Sequence, residues 1–164
     1  MQLRIRTEDE RSSPMTLPRS ERGPTVADPT RVTRSVDLEV APAEVWDALT
    51  EQALLREWLA DEVELEAEPG GEIVCRYADG EERRGEVELV EEAERLAWSW
   101  WREDGEGPSR VELVLDAVAG GTRLTVIETV PLRASGPLLA ATALAAAWGP
   151  PLARLRAAVR LVLA

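Results

Sequence analysis

"DEVELEAEPGGEIVCRYADGEERRGEVELVEEAERLAWSWWRE", residues 61–103, alternates polar and apolar residues, broken only where turn-forming residues gather. Successive side chains of a strand point to opposite faces, so a period of two marks strands with one buried and one wetted side. Val63 and Leu65 carry the pattern until Pro69, Gly70 and Gly71 force a turn. Ile73, Cys75 and Tyr77 resume it as far as Asp79-Gly80, a strong two-residue hairpin signal. Val87 and Leu89 then share a face, and Leu96, Trp98 and Trp100 close the stretch in the same phase. Four antiparallel strands are predicted, with the glutamates of Glu62, Glu64, Glu66, Glu86 and Glu88 on the outside.

Working outward, "SRVELVLDAVAGGTRLTVIETV" adds two strands across Gly120-Gly121, with Val111, Leu113, Leu115, Leu124 and Val126 inward. Upstream, "RVTRSVDLEV" alternates through Val32, Val36, Leu38 and Val40 as a first strand. Next, "APAEVWDALTE" places Pro42 in a first helical turn and Val45, Ala48 and Leu49 on one face. "EQALLREWLA" makes a second short helix with Leu54, Leu55 and Trp58. The last thirty or so residues read as helical, broken or bent at Gly149-Pro150-Pro151. The predicted order is one strand, two short helices, six strands and one long helix, an α+β fold whose inward strand phase faces the C-terminal helix.

The 164 residues suit one domain. Residues 1–30 show no helical or strand period and mix Pro, Ser, Arg and acids, so a disordered tail is expected there and the folded domain over residues 31–164. Acidic residues number 31 against 19 basic ones, all arginine, for a net charge of −12. Such a chain repels a phosphate backbone, and nucleic acid is not an expected partner. Histidine and lysine are absent. That excludes a histidine base or metal ligand, a lysine Schiff base and a phosphate-binding P-loop. Cys75 is the only cysteine, so neither an intramolecular disulfide nor a thiolate zinc cluster can form. No metal, cofactor or catalytic residue is expected. The N-terminus lacks the apolar core of a secretory signal. The longest apolar run, before Gly149, is shorter than the roughly twenty residues that span a bilayer. A cytoplasmic protein without an integral membrane segment is expected.

Three tryptophans fall within residues 98–101 of a chain with no phenylalanine and one tyrosine. Burying one indole removes roughly 150–250 Å² from water, worth about 4–6 kcal/mol as an upper bound. Trp98 and Trp100 point inward, Trp101 outward. Trp58 comes from the helix-turn region and Trp148 from the long helix. These indoles either fill the interior in place of phenylalanines or enclose a flat, apolar ligand. Tyr77 offers a hydroxyl or packs as an aromatic. Glu128 shares the inward phase of Leu124 and Val126. It reads as a rim carboxylate served by water or an arginine, or as a pocket-wall group that orients a ligand or moves a proton. The candidate ligand-binding set is therefore Trp58, Tyr77, Trp98, Trp100, Glu128 and Trp148. Cys75 reads as a small inert hydrophobe. The glutamate-rich outer face is either a solvated surface or a dock for a basic protein partner.

The segments "APAEVWDALTEQALLREWLADEVELEAEPGGEIVCRYADGEERRGEVELVEEAERLAWSWW" and "GGTRLTVIET" carry a family likeness. Their landmarks are Val45-Trp46, Leu49-Thr50, Trp58, Pro69-Gly70-Gly71, Asp79-Gly80, Gly85 and Gly121-Thr122. The chain resembles the START-like, helix-grip superfamily, and within it the SRPBCC proteins of the activator of heat-shock protein 90 ATPase homologue-like branch. Two positions stand out. Members often open the last helix with Gly-Trp, whereas this chain has Trp148-Gly149 and two prolines; many carry histidine or glutamate where Glu128 stands, and this chain has the acid. The resemblance implies a curved antiparallel sheet wrapped around a long C-terminal helix with an apolar cavity between them. It also implies a choice of roles, because members carry lipids, bind polyketides or hormones, serve as co-chaperone modules or catalyse cyclisations. The expected function is binding of a small hydrophobic ligand. The alternatives are a co-chaperone-like interaction module regulating an ATPase through its surface and, third, a cyclase-type or hydrolase-type enzyme.

Overall fold

A computed structural model describes residues 30–103, 108–130 and 137–162. The elements run β1 (Thr30–Leu38), α1 (Pro42–Thr50), α2 (Gln52–Trp58), β2 (Glu62–Leu65), β3 (Glu72–Arg76), β4 (Glu82–Glu91), β5 (Arg95–Arg102), β6 (Ser109–Val118), β7 (Gly121–Val130) and α3 (Pro137–Val162). This is the order predicted from the alternation. The tail expected over residues 1–30 lies outside the described residues, apart from Thr30, with which β1 begins.

All seven strands form one antiparallel sheet in the order β1-β7-β6-β5-β4-β3-β2. Each strand from β2 to β7 pairs with its predecessor, except that β2 starts an edge, and β1 returns to pair with β7. The curved sheet and the C-terminal helix make the helix-grip fold. Its inner face buries Val63, Ile73, Val87, Leu96, Trp98, Leu113 and Leu124 against Trp148, Leu152, Leu155 and Val159 of α3, with Val45, Leu49 and Leu55 of the short helices closing one end. Pro42 occupies the first turn of α1, and the Glu44 carboxylate accepts a 3.0 Å hydrogen bond from the Ala41 N–H.

Two expectations fail for local reasons. Leu89 does not share the inner face with Val87: Val87 pairs with Trp98 and Leu89 with Ala97, which leaves Glu88 as the extra residue of a β-bulge. The bulge moves Leu89 to the outer phase and brings Val90, opposite Leu96, inward to pack on the core. Of the break or bend expected at Gly149-Pro150-Pro151, the break does not occur, because α3 runs through both prolines. Trp148 on one side of the pair and Leu152 and Leu155 on the other are buried in the same core, which holds both halves to one sheet face.

The outer face is less one-sided than its glutamates suggest, for arginines stand among them. Arg76 lies 3.6 and 3.7 Å from Glu62 and Glu64 and 2.8 Å from Glu82. Arg84 reaches Glu82 at 2.6 Å, Arg110 reaches Glu88 at 2.6 Å and Glu112 at 2.7 Å, and Arg123 reaches Asp37 at 2.7 Å. Hydrogen bonds from Arg76 and then Arg84 hold the Glu82 carboxyl below the usual carboxylate range. Each exposed pair contributes little to stability, but together they break up the acidic field.

Candidate functional site

Four elements bring one polar cluster into the apolar interior. Trp98 and Trp100 of β5 face inward; Ser109 opens β6 directly opposite Trp100; Glu128 of β7 lies opposite Val111; Trp148 descends from α3. Glu128 is only 2 % exposed. Its Oε1 accepts hydrogen bonds from Ser109 Oγ at 2.6 Å and from Trp100 Nε1 at 3.2 Å, and its Oε2 accepts one from Trp148 Nε1 at 2.6 Å. Trp100 Nε1 also donates to Ser109 Oγ at 3.0 Å. Burying a carboxylate is costly without compensating donors, and these three supply them. The Trp148 bond ties the last helix to β7.

The rings extend the cluster. Trp100 stacks on Trp148 with centroids 6.2 Å apart and planes 17° apart, and meets Trp98 edge-on at 5.6 Å and 70°. Above Trp100 lies the guanidinium of Arg83, its Cζ 4.7 Å from that ring and 5.7 Å from the Tyr77 ring. Gly85, opposite Trp100 on β4, makes the close strand approach feasible: a Cβ there would sit 2.0 Å from the Ser99 carbonyl oxygen and 2.8 Å from Trp100 Cα. One donor stays unmatched. Trp98 Nε1 is buried and has no hydrogen-bond partner among the described residues.

Of the predicted site residues, the structure brings together Trp98, Trp100, Glu128 and Trp148, with Tyr77 half-buried beside them under Arg83. Glu128 is not the rim carboxylate served by water or an arginine that one sequence reading expected. It is interior, and its donors are indoles and a hydroxyl. With three donors on its two oxygens it is suited to holding and orienting, and proton transfer would first have to displace a donor. Burial pushes the Tyr77 phenol well above its ordinary range and the Cys75 thiol up to about 12, so both stay neutral.

Trp58 does not join the cluster. Its Nε1 donates to the Ala48 carbonyl at 2.8 Å, which locks α2 to α1. Its ring helps line a separate groove of about 400 Å³ with Val40, Leu54 and Val159, rimmed by Glu44, Asp47 and Glu51. A further cleft of about 300 Å³ lies at the β3–β4 hairpin, lined by Asp61, Glu62, Arg76, Tyr77, Glu81 and Glu82. Trp101, on the outer phase, is 43 % exposed. Ser109 and Arg83 were missed by the sequence reading, although the strand phase running back from Val111 and from Val87 through Gly85 points both inward.

Among the described residues no group of three or more Cys, Asp or Glu side chains is arranged to hold a metal ion, and no helix is long and apolar enough to cross a membrane.

Comparison with known proteins fits this geometry. No curated protein sequence gives a match. Among solved structures, DynU16, a protein of the dynemicin biosynthetic locus, superposes with a TM-score of 0.72 at 24 % identity; the match covers 80 % of this chain and 47 % of that one, so this chain spans under half of DynU16. Protein MLL2253 from Mesorhizobium loti gives a TM-score of 0.71 at 21 % identity over 79 % of this chain and 96 % of that one. A protein from Rhodobacter sphaeroides gives 0.66 at 27 % identity over 80 % and 93 %. Residues 39–160, from the end of β1 almost to the end of α3, match the family described as activator of Hsp90 ATPase homolog 1-like protein. The chain belongs to that family, a helix-grip branch of the SRPBCC proteins.

Proposed function

We propose that this domain binds a small apolar molecule between the inner face of the sheet and α3, against Trp98, Trp100 and Trp148, with Tyr77 and Glu128 as polar neighbours. The observation that carries the reading is the Trp98 indole N–H, buried without an acceptor among the described residues, beside the paired polar groups of Trp100, Ser109, Glu128 and Trp148. Native interiors leave few such groups unmatched, and each costs about 1–3 kcal/mol. An apolar guest with one acceptor atom would offset that cost. Glu128 holds the two indole N–H groups around it and keeps the wall rigid, which is the preorganisation a binding site needs. The interleaved arginines of the outer face favour this reading over an acidic protein dock. A single buried, neutral cysteine suits a reducing compartment, in keeping with a cytoplasmic location.

The test is titration of the purified full chain with a neutral environment-sensitive dye such as N-phenyl-1-naphthylamine, with indole emission followed in parallel. Saturable one-to-one binding that changes indole emission and weakens in Trp100→Ala is the expected result. Absence of dye binding to the folded wild type overturns the reading.

A further inference from the structure

We infer that the apolar guest carries a carboxylate head and that Arg83 receives it. This rests on the ligand-binding reading above and gives the ligand its chemical class.

Arg83 faces the interior side of the sheet, opposite Cys75 on β3, in the phase of Gly85 and Val87. Its side chain is 25 % exposed. The guanidinium lies over the face of Trp100, and among the described residues its only hydrogen bond runs from Nε to Glu81 Oε1 at 2.7 Å. The two terminal nitrogens donate to no described residue. Stacking on an indole fixes the plane of a guanidinium, so less freedom is lost when its outer edge takes a ligand. That edge presents parallel N–H groups at the spacing of carboxylate oxygens, the geometry of a bidentate pair.

Apart from the Tyr77 hydroxyl, which can donate or accept, the remaining hydrogen-bond capacity of the site has one sign. Its carboxylates are engaged: Glu128 takes three donors, and Glu81 takes Arg83 with Arg102 at 3.8 Å. What lacks a partner among the described residues is the Arg83 outer edge and the Trp98 N–H, both donors. A guest that matches them must bring acceptors. The global field runs the other way, because a net charge of −12 repels anions and attracts cations. A preference for an anionic amphiphile would therefore report the local donors and not the general electrostatics.

The experiment compares three matched twelve-carbon amphiphiles below their micelle concentrations: dodecanoate, dodecan-1-ol and dodecyltrimethylammonium. Each is titrated into the full chain by calorimetry at pH 8, with indole emission as a second readout. Dodecanoate should bind about tenfold to a hundredfold tighter than the alcohol, the size expected of hydrogen bonds to a charged group. Arg83→Gln should bring the acid down to the alcohol's affinity while leaving the alcohol unchanged. Equal affinities for acid and alcohol in the wild type overturn the head-group assignment and leave the apolar site standing, as does a preference for the ammonium. An acid preference that survives in Arg83→Gln removes Arg83 from it. Failure of all three to bind overturns both this inference and the reading beneath it. Should Arg83→Gln not fold, the wild-type ratio of acid to alcohol still decides.

Discussion

Replacing Glu128 by leucine should destabilise the fold by about 2–4 kcal/mol, and the estimate can be built from the four hydrogen bonds around that carboxylate. Without it, Trp100 Nε1 keeps an acceptor in Ser109 Oγ at 3.0 Å. Trp148 Nε1 and the Ser109 hydroxyl lose theirs. Two stranded donors at about 1–3 kcal/mol each give about 2–6 kcal/mol. Removing a desolvated charge works in the opposite direction and draws the sum toward the lower half of that range. Glu128→Gln should cost only about 1 kcal/mol, since its amide oxygen can face Trp148 while the amide nitrogen donates to Ser109, whose hydroxyl is free to turn. Against a total stability of about 5–15 kcal/mol both changes are measurable. Urea unfolding followed by far-ultraviolet circular dichroism is the suitable assay, because it reads the backbone and not the indoles that the substitution disturbs. A leucine variant as stable as the wild type, or more so, would refute the claim that Glu128 latches α3 to the sheet.

Two further outcomes follow from other sites. Gly85→Ala should cost about 1–3 kcal/mol and flatten the near-ultraviolet dichroism of the indoles, because its Cβ meets backbone atoms of Ser99 and Trp100 that no rotamer change can clear; an unchanged unfolding midpoint would contradict this. Cys75 should resist a thiol reagent such as dithionitrobenzoate at pH 8 until the chain unfolds, since burial raises its pKa to about 12. The same shift has a definite sign: the unfolded thiol ionises near about 8.5 while the folded one keeps its proton, so stability is full below that pH and falls as pH rises toward 12. Comparing alkaline unfolding of the wild type with Cys75→Ala measures the contribution.

The order of elements was legible because each strand carries a period of two and each reversal carries its own turn residues, as at Asp79-Gly80 and Gly120-Gly121. These signals are local. What escaped depends on residues far apart in sequence. Nothing in "GEVELVEE" announces the bulge at Glu88, since valine and leucine continue the alternation and only the register against Trp98 and Ala97 shows the slip. The prolines of α3 read as a break or a bend, and the break does not occur, because propensity sees the missing N–H groups and not the core that binds the helix on both sides of them. The indole of Trp58 stands apart from the Glu128 cluster because its N–H is taken by Ala48, ten positions earlier in the chain. Glu128 is the sharpest case: phase alone points it inward, but whether an inward carboxylate is a rim group or a buried one depends on donors 19, 20 and 28 residues away. Because those donors are two indoles and a serine, the interior holds a carboxylate without pairing it to an arginine. Arg83, stacked on that indole wall, thus keeps the outer edge of its guanidinium for a partner that no described residue provides.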